Sequence, residues 1–317
     1  MLASSRGADI PGMLALSTGG KHCSYMFGFL EQLFIDEPTC YWKDLAGNSA
    51  GALICAGISQ TNNNSEYIHM VQSLYTTMCS TDIAQPWNSF GSILNGIHAF
   101  LFHDSLYKDS LTSLVSNRLD PLKMRASGKQ LHIGVYNKTR GLYETISGVD
   151  NMLDAICASA SIPGVFPPRT INGDLYVDGG IGHVIPVPAI IKWCDEHSNG
   201  QLDIMVCYPI TSFKEFRKTE FSKSQIKLVN VMTDTMITLL WNNLYNDVQV
   251  LNKYFDKDIR RDKTFVANGI RVRIFAPEEG FYADFVSRDV QALDKSFNHG
   301  KYIVKQLLQQ DSIKLII

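Results

Sequence analysis

The chain has 317 residues, 45% hydrophobic and 19% charged, with a mean hydropathy of −0.04. That length buries a full core without disulfides or a structural metal, and the composition excludes disordered, collagen-like and polytopic membrane proteins. With 29 basic against 31 acidic side chains the net charge is −2, so no protein-wide field holds nucleic acid and no nucleic-acid partner is expected. Seven cysteines are scattered without a CxxC pair, against both a disulfide framework and a clustered zinc site. A reducing, cytoplasmic setting is the simplest expectation. The polar N-terminus lacks the apolar stretch of a signal peptide, and no run of about 18 apolar residues predicts a transmembrane helix.

Met13 to Ser17 is a short apolar run ending at Gly19-Gly20, which predicts a buried strand and a tight turn. Tyr25 to Phe34 has helical spacing. Trp42 to Ala46 leads into Gly47-Asn48-Ser49-Ala50-Gly51, and the small apolar stretch after it predicts a helix buried against a sheet. This strand–turn–helix repeat points to an α/β fold with a parallel, helix-covered sheet. Residues 62 to 120 are expected to be mainly helical, including Ile93, Ile97, Phe100 and Leu101 at helical spacing. Residues 131–136 and 142–147 bracket a turn and predict two strands. A helix is expected over Met152 to Ala160, strands over Leu175 to Val177, Leu202 to Cys207 and Ile270 to Phe275, and helices over 224–255 and 285–310. No linker interrupts this pattern.

The pentapeptide Gly47-Asn48-Ser49-Ala50-Gly51 fits G-x-S-x-G. In a nucleophile elbow the serine occupies a strained turn between strand and helix, and the glycines allow close backbone approach. The same five residues also fit an ordinary glycine-rich β–α turn. A serine hydroxyl needs a base. None of the eight histidines has a local signature; His183 stands out only by following Asp178-Gly179-Gly180. Asp178 is the stronger candidate, a carboxylate at a strand end on a turn stripped of side-chain bulk. Taken alone, it also fits a turn aspartate satisfying nearby N–H groups. Ser17-Thr18-Gly19-Gly20-Lys21-His22 follows the first strand, where successive backbone N–H groups can form an anion-binding nest. It matches neither G-x-x-x-x-G-K-[ST] nor G-x-G-x-x-G, which argues against a nucleotide site.

Together these blocks resemble the patatin-like phospholipase family. Leu16 to Gly28 is similar to its glycine-rich oxyanion segment, Gly47 to Gly51 to its serine elbow, and Tyr176-Val177-Asp178-Gly179-Gly180 to its D-G-[GA] motif. Ala158 to Pro168 matches the family's A-S-x-x-x-P-x-x-F-P-P stretch, and the four blocks come in family order. The resemblance implies a mostly parallel central sheet with helices on both faces, in one catalytic domain over residues 10–312 behind a flexible stretch over 1–9. It implies Ser49 as nucleophile and Asp178 as its base. The N–H groups of Gly19, Gly20 and Lys21 would form an oxyanion hole, with Gly47, Gly51, Gly179 and Gly180 as motif support and neither metal nor cofactor. The implied activity is lipid acyl hydrolysis of the phospholipase A or lysophospholipase type. Acyl transfer, neutral-lipid esterase activity and a catalytically weak lipid- or partner-binding scaffold are the alternatives. Implied partners are an acyl-ester lipid and a membrane surface met peripherally, with an activating partner left open.

The chain departs from the family pattern at Thr18, His22, Cys23 and Val184. A titrating His22 would make local anion attraction pH-dependent. Two further stretches bear on substrate access. Trp87, Phe90, Leu94 and Phe102 lie in an apolar segment over 86–102 that fits either an interfacial lid or a core helix. Lys253, Lys257, Arg260, Arg261 and Lys263 are interleaved with Asp256, Asp258 and Asp262, a pattern expected of a solvated mixed-charge face rather than a headgroup site.

Overall fold

The structure, a computed structural model, describes residues 11–37, 42–79, 109–148, 151–210, 228–278 and 289–314. Its centre is five parallel strands. β1 (Gly12–Leu16) lies between β2 (Asp44–Asn48) and β7 (Gly200–Met205); β3 (Gln130–Asn137) pairs with β2 and β9 (Ile270–Phe275) with β7. Every residue of β1 is buried, and its sequence is accordingly a continuous apolar run without polar alternation. Four antiparallel strands complete one nine-stranded sheet. β4 (Leu142–Ser147) and β6 (Asp174–Asp178) pair with β3, β5 (Arg169–Ile171) pairs with β6, and β8 (Thr264–Ala267) pairs with β9.

Helices cover both faces. Alternate residues of β2 point to opposite sides. Gly47 faces α2 (Ala50–Ser59), where a Cβ would meet the Gly51 carbonyl at 2.5 Å. Asp44, of opposite parity, accepts a hydrogen bond from the Trp193 indole of α7 (Val187–Glu196) at 3.2 Å. On the α2 side lie α1 (Ser24–Asp36) and α3 (Asn64–Cys79), and α9 (Val290–Lys314) crosses α1 closely. A Cβ on Gly28 would strike the Phe297 carbonyl, and one on Gly300 that of Tyr25. Enclosed in this way, α1 is buried from Ser24 to Phe34, which is why its apolar residues do not keep to one stripe. Short helices α4 (Ser110–Arg118) and α5 (Pro121–Ala126) begin on Asp109 and Asp120, whose carboxylates accept N–H groups of the first turns. α6 (Met152–Ser159) packs on β3, and α8 (Leu228–Phe255) packs against α7.

Deep in the sheet, Arg273 of β9 makes a two-pronged pair with Asp203 of β7, at 2.7 and 2.6 Å. Trp42 and Gln201 also donate to Asp203, so this ion pair is fully hydrogen-bonded as well as buried.

Among the described residues the strands and helices expected from the sequence are found, with ends shifted by a few residues, and β5, β8 and α7 are additional; of the helical region expected over 62–120, residues 80–108 lie outside the described residues. The apolar segment 86–102 lies outside the described residues. The basic cluster beyond α8 is the mixed-charge surface expected: Arg260 and Arg261 both pair with Asp258, and Lys263 donates to the Ile259 carbonyl. Among the described residues, no helix is long and apolar enough to cross a membrane, no acid, histidine or cysteine cluster is suited to a metal, and Cys23, Cys55, Cys157, Cys194 and Cys207 are buried free thiols.

Candidate active site

The sheet register itself brings Ser49 to Asp178. One edge of β3 carries β4 along His132 to Asn137. The other edge carries β2 up to the pair Asn48–Gly134, then β6 from the pair Asp178–Val135. The strands β2 and β6 run in opposite senses, so their C-terminal ends meet on consecutive residues of β3. Ser49 is the residue after β2, and Asp178 ends β6. The Ser49 hydroxyl donates to Asp178 Oδ2 at 2.7 Å.

The elbow around Ser49 is strained, and the strain is held in place. Ser49 has φ 52° and ψ −120°, a conformation that costs a non-glycine residue about 1–3 kcal/mol. Its N–H donates to Ser159 Oγ at 2.8 Å, and Ser159 donates on to the Gly134 carbonyl at 2.6 Å. Gly51 sits where a Cβ would come within 2.5 Å of the Leu16 carbonyl oxygen and 2.7 Å of that of Ser17. Both glycines of the pentapeptide therefore serve close packing, Gly47 on α2 and Gly51 on the end of β1. Asn48 is clamped as well, donating to the His183 carbonyl at 2.6 Å and accepting from the Tyr143 hydroxyl at 2.8 Å.

Asp178 combines the two readings open to it in the sequence. Oδ1 accepts the Gly180 N–H at 2.8 Å, a turn-aspartate bond, while Oδ2 takes the Ser49 hydroxyl. Its own N–H donates to the Ser161 carbonyl at 2.9 Å. Gly179 lies against the Gly134 carbonyl with no room for a Cβ. Burial raises the Asp178 pKa to about 7, although the bonds from Ser49 and Gly180 pull the other way. Ser49 and Asp178 are 3% and 4% exposed.

The glycine turn lies where β1 and β7 end side by side, at the point where the chain's winding direction reverses. Sites in open α/β sheets form at such points. The Ser17 N–H donates to the Met205 carbonyl and the Cys207 N–H to Ser17 Oγ, both at 3.0 Å, which joins the two strand exits. Ser17, Thr18 and His22 use their N–H groups on carbonyls. Among the described residues, no backbone carbonyl takes those of Gly19, Gly20 and Lys21. The one left-handed residue of the turn is Gly20, with φ 49°, while Cys23 has an ordinary helical conformation. Thr18 is not among the residues of positive φ. The departures at Thr18 and Cys23 are thus free of backbone strain. At Gly19 a Cβ would lie 2.5 Å from Cys207 Sγ.

His22 corrects an expectation. It is buried, and desolvation lowers its pKa to about 3, so it is neutral at ordinary pH and carries no pH-dependent attraction. Nor does His183 reach the serine's hydroxyl, whose partner is Asp178. His183 Nδ1 bonds instead to Asp247 Oδ1 at 2.5 Å.

Three positions that sequence reasoning passed over support the site, and two of them hold the loop after Asp178. On α8, Asp247 Oδ2 accepts the N–H groups of Val184 at 2.7 Å and Ile185 at 2.9 Å, and the Val184 carbonyl receives the Thr18 N–H at 2.8 Å. Asn243, one turn earlier, donates to the carbonyls of Gly180 and Ile181. The third is Ser159, inside a block found only by resemblance. A signal for the first two was present: Asn243 and Asp247 interrupt the buried stripe Leu240, Leu244, Val248 and Leu251.

The family model described as patatin-like phospholipase matches residues 14–191, more than half of the chain. The chain belongs to the patatin-like phospholipase family. Both Ser49 and Asp178 fall within the matched patatin-like region. A curated relative, "Probable lipid hydrolase 463L" of Invertebrate iridescent virus 6, is 27% identical over 128 residues, which are 37% of this chain and 43% of that protein. The chain thus spans less than half the length of that relative. Among solved structures, VipD from Legionella pneumophila aligns over 96% of this chain and 67% of its own, with 13% identity and a TM-score of 0.45.

Proposed function

We propose that this patatin-like protein hydrolyses fatty acyl esters of lipids, of the phospholipase A or lysophospholipase type, through a Ser49–Asp178 dyad and an acyl-enzyme. The observation that carries the reading is the 2.7 Å bond from the Ser49 hydroxyl to a buried carboxylate at a strained elbow. In the first step Ser49 Oγ bonds to the ester carbonyl carbon as its proton passes to Asp178 Oδ2. The carbonyl oxygen, now negative, is met by the N–H groups of Gly19, Gly20 and Lys21; one such donor is typically worth about 3–4 kcal/mol in the transition state. Collapse breaks the ester C–O bond, and the alcohol leaves with the proton from Asp178. Water then attacks the acyl-serine, Asp178 takes its proton and returns it to Ser49, and a fatty acid is released. A carboxylate titrating near neutrality suits both proton transfers better than one at its ordinary value.

We infer further that residues 10–312 form one catalytic domain and that the lipid is met at a membrane or micelle surface. The test is hydrolysis of lysophosphatidylcholine, phosphatidylcholine and monoacylglycerol by wild type, Ser49→Ala and Asp178→Asn, with products identified by mass spectrometry and the fold checked by circular dichroism. The dyad requires both variants to lose activity by more than about a thousandfold. Full hydrolysis by either folded variant refutes it. Transfer of the acyl group to an added alcohol in place of water would mark the chain as an acyltransferase.

A further inference from the structure

Tyr208 follows the exit of β7 beside the glycine turn, and its hydroxyl poses a question. The residue is 4% exposed, and among the described residues its buried oxygen has no hydrogen-bond partner. A buried unpaired hydroxyl is costly to a protein and calls for an explanation.

Its neighbours belong to the elements that frame the candidate site. The ring lies 4.7 Å from that of His22, in the turn that carries the free N–H groups. It also meets Trp241 of α8 edge-on, with ring centroids 5.2 Å apart. The residue before Trp241, Leu240, packs where a Cβ on Gly180 would be, 3.0 Å away, and Thr18 lies at the same distance from that point. Tyr208 therefore bridges the glycine turn and the helix that backs the Asp178 loop. Burial keeps the phenol protonated, and Cys207 and then Asp178 act in the same direction. Ser24 and Tyr25 also keep buried hydroxyls without partners, but among the described residues only the Tyr208 ring joins the turn to α8.

The group is thus a neutral donor. Its surroundings are a neutral His22, an acidic Asp178 and aromatic and aliphatic side chains. Such a setting favours an uncharged acceptor oxygen over a phosphate. We propose that the Tyr208 hydroxyl binds substrate, donating a hydrogen bond to an uncharged oxygen of the glycerol portion of the lipid. This rests on the acyl-hydrolase reading of the same site.

The test compares wild type, Tyr208→Phe and Ser49→Ala on three substrates: monoacylglycerol, lysophosphatidylcholine and p-nitrophenyl butyrate, which has no glycerol. Tyr208→Phe is expected to lower kcat/KM about tenfold on both glycerol esters, leave p-nitrophenyl butyrate within about twofold, and not lower Tm. A fall on all three substrates, a fall on lysophosphatidylcholine alone, or no fall at all would each overturn the glycerol assignment. A lower Tm would overturn it too, because the hydroxyl would then have a partner within the protein. Ser49→Ala separates the two claims: if it retains activity the dyad reading fails, whereas an inactive Ser49→Ala beside an unaffected Tyr208→Phe defeats this proposal alone.

Discussion

Asp178→Asn is expected to stabilise the protein while abolishing its activity, and the stabilisation should depend on pH. Burial lifts the Asp178 carboxyl from an ordinary 3.8 to about 7. Below pH 4 both folded and unfolded chains hold this proton, so it contributes nothing to the pH dependence. Between pH 4 and 7 the folded chain keeps the proton and the unfolded chain has lost it, so stability falls as pH rises. Above pH 7 the penalty is constant. The shift corresponds to about 4 kcal/mol, and for a chain of this length that is about 6 °C in Tm if it unfolds as one unit. Asparagine keeps the shape and the acceptor for the Gly180 N–H but carries no charge to bury. Differential scanning fluorimetry of wild type and variant from pH 4 to 8 measures the difference. The Tm of Asp178→Asn should draw ahead of wild type across pH 4–7 and hold its lead above. A gap that is the same at every pH, or one that closes as pH rises, would refute the reasoning. The same ionisation gives wild-type kcat/KM a rise of about tenfold between pH 6 and 8, because only the carboxylate accepts the Ser49 proton.

Other positions give separate tests. Gly51→Ala drives a methyl into the carbonyls of Leu16 and Ser17 and should cost at least about 1–3 kcal/mol in urea unfolding, with loss of fluorophosphonate labelling at Ser49 in whatever remains folded. Arg273→Met leaves the buried Asp203 carboxylate uncompensated and should destabilise by about 3–5 kcal/mol, whereas the double variant Arg273→Met/Asp203→Leu should recover most of that in a double-mutant cycle. Asp247→Leu removes the acceptor shared by the Val184 and Ile185 N–H groups; kcat is expected to fall by about tenfold or more, measured well below Tm, because the Val184 carbonyl that holds Thr18 would shift.

The parts of the fold legible in the sequence are those whose signal is local. β1 is buried on both faces, and its apolar run says so. The elbow and the D-G-G turn need glycines for steric reasons, which makes them visible as motifs. The elements passed over were legible in principle. β5–β6 and β8–β9 turn on Asn172-Gly173 and Asn268-Gly269, each with positive φ at both residues. Asn-Gly is the strongest short hairpin signal, but the first strand of each pair, β5 or β8, is too short to show alternation. Ser159 was opaque for another reason, and for Asn243 and Asp247 the sequence showed only that polar residues break an apolar stripe, not what they bind. A serine or carboxylate on a buried helix face has a meaning only once the backbone opposite it is known, and those partners lie far away in sequence. The dyad's own pairing is of the same kind. Ser49 and Asp178 were brought together in the sequence by resemblance, while their contact follows from which edge of β3 each strand occupies.

That shared edge has a consequence for how such a protein tolerates change. The gap between Ser49 and Asp178 is measured by one residue step along β3, about 3.3 Å, rather than by the lengths of the segments joining them. The long connection from α2 to β3, and the parts of the β4–β6 connection outside Ser159 and Ser161, are free to lengthen, shorten or acquire new surfaces while the ruler beneath them stays the same. New lipid preferences would then be written into those connections without retuning the chemistry, and a change of one residue in β3 between Gly134 and Val135 would do more harm than the removal of a whole helix from the surface.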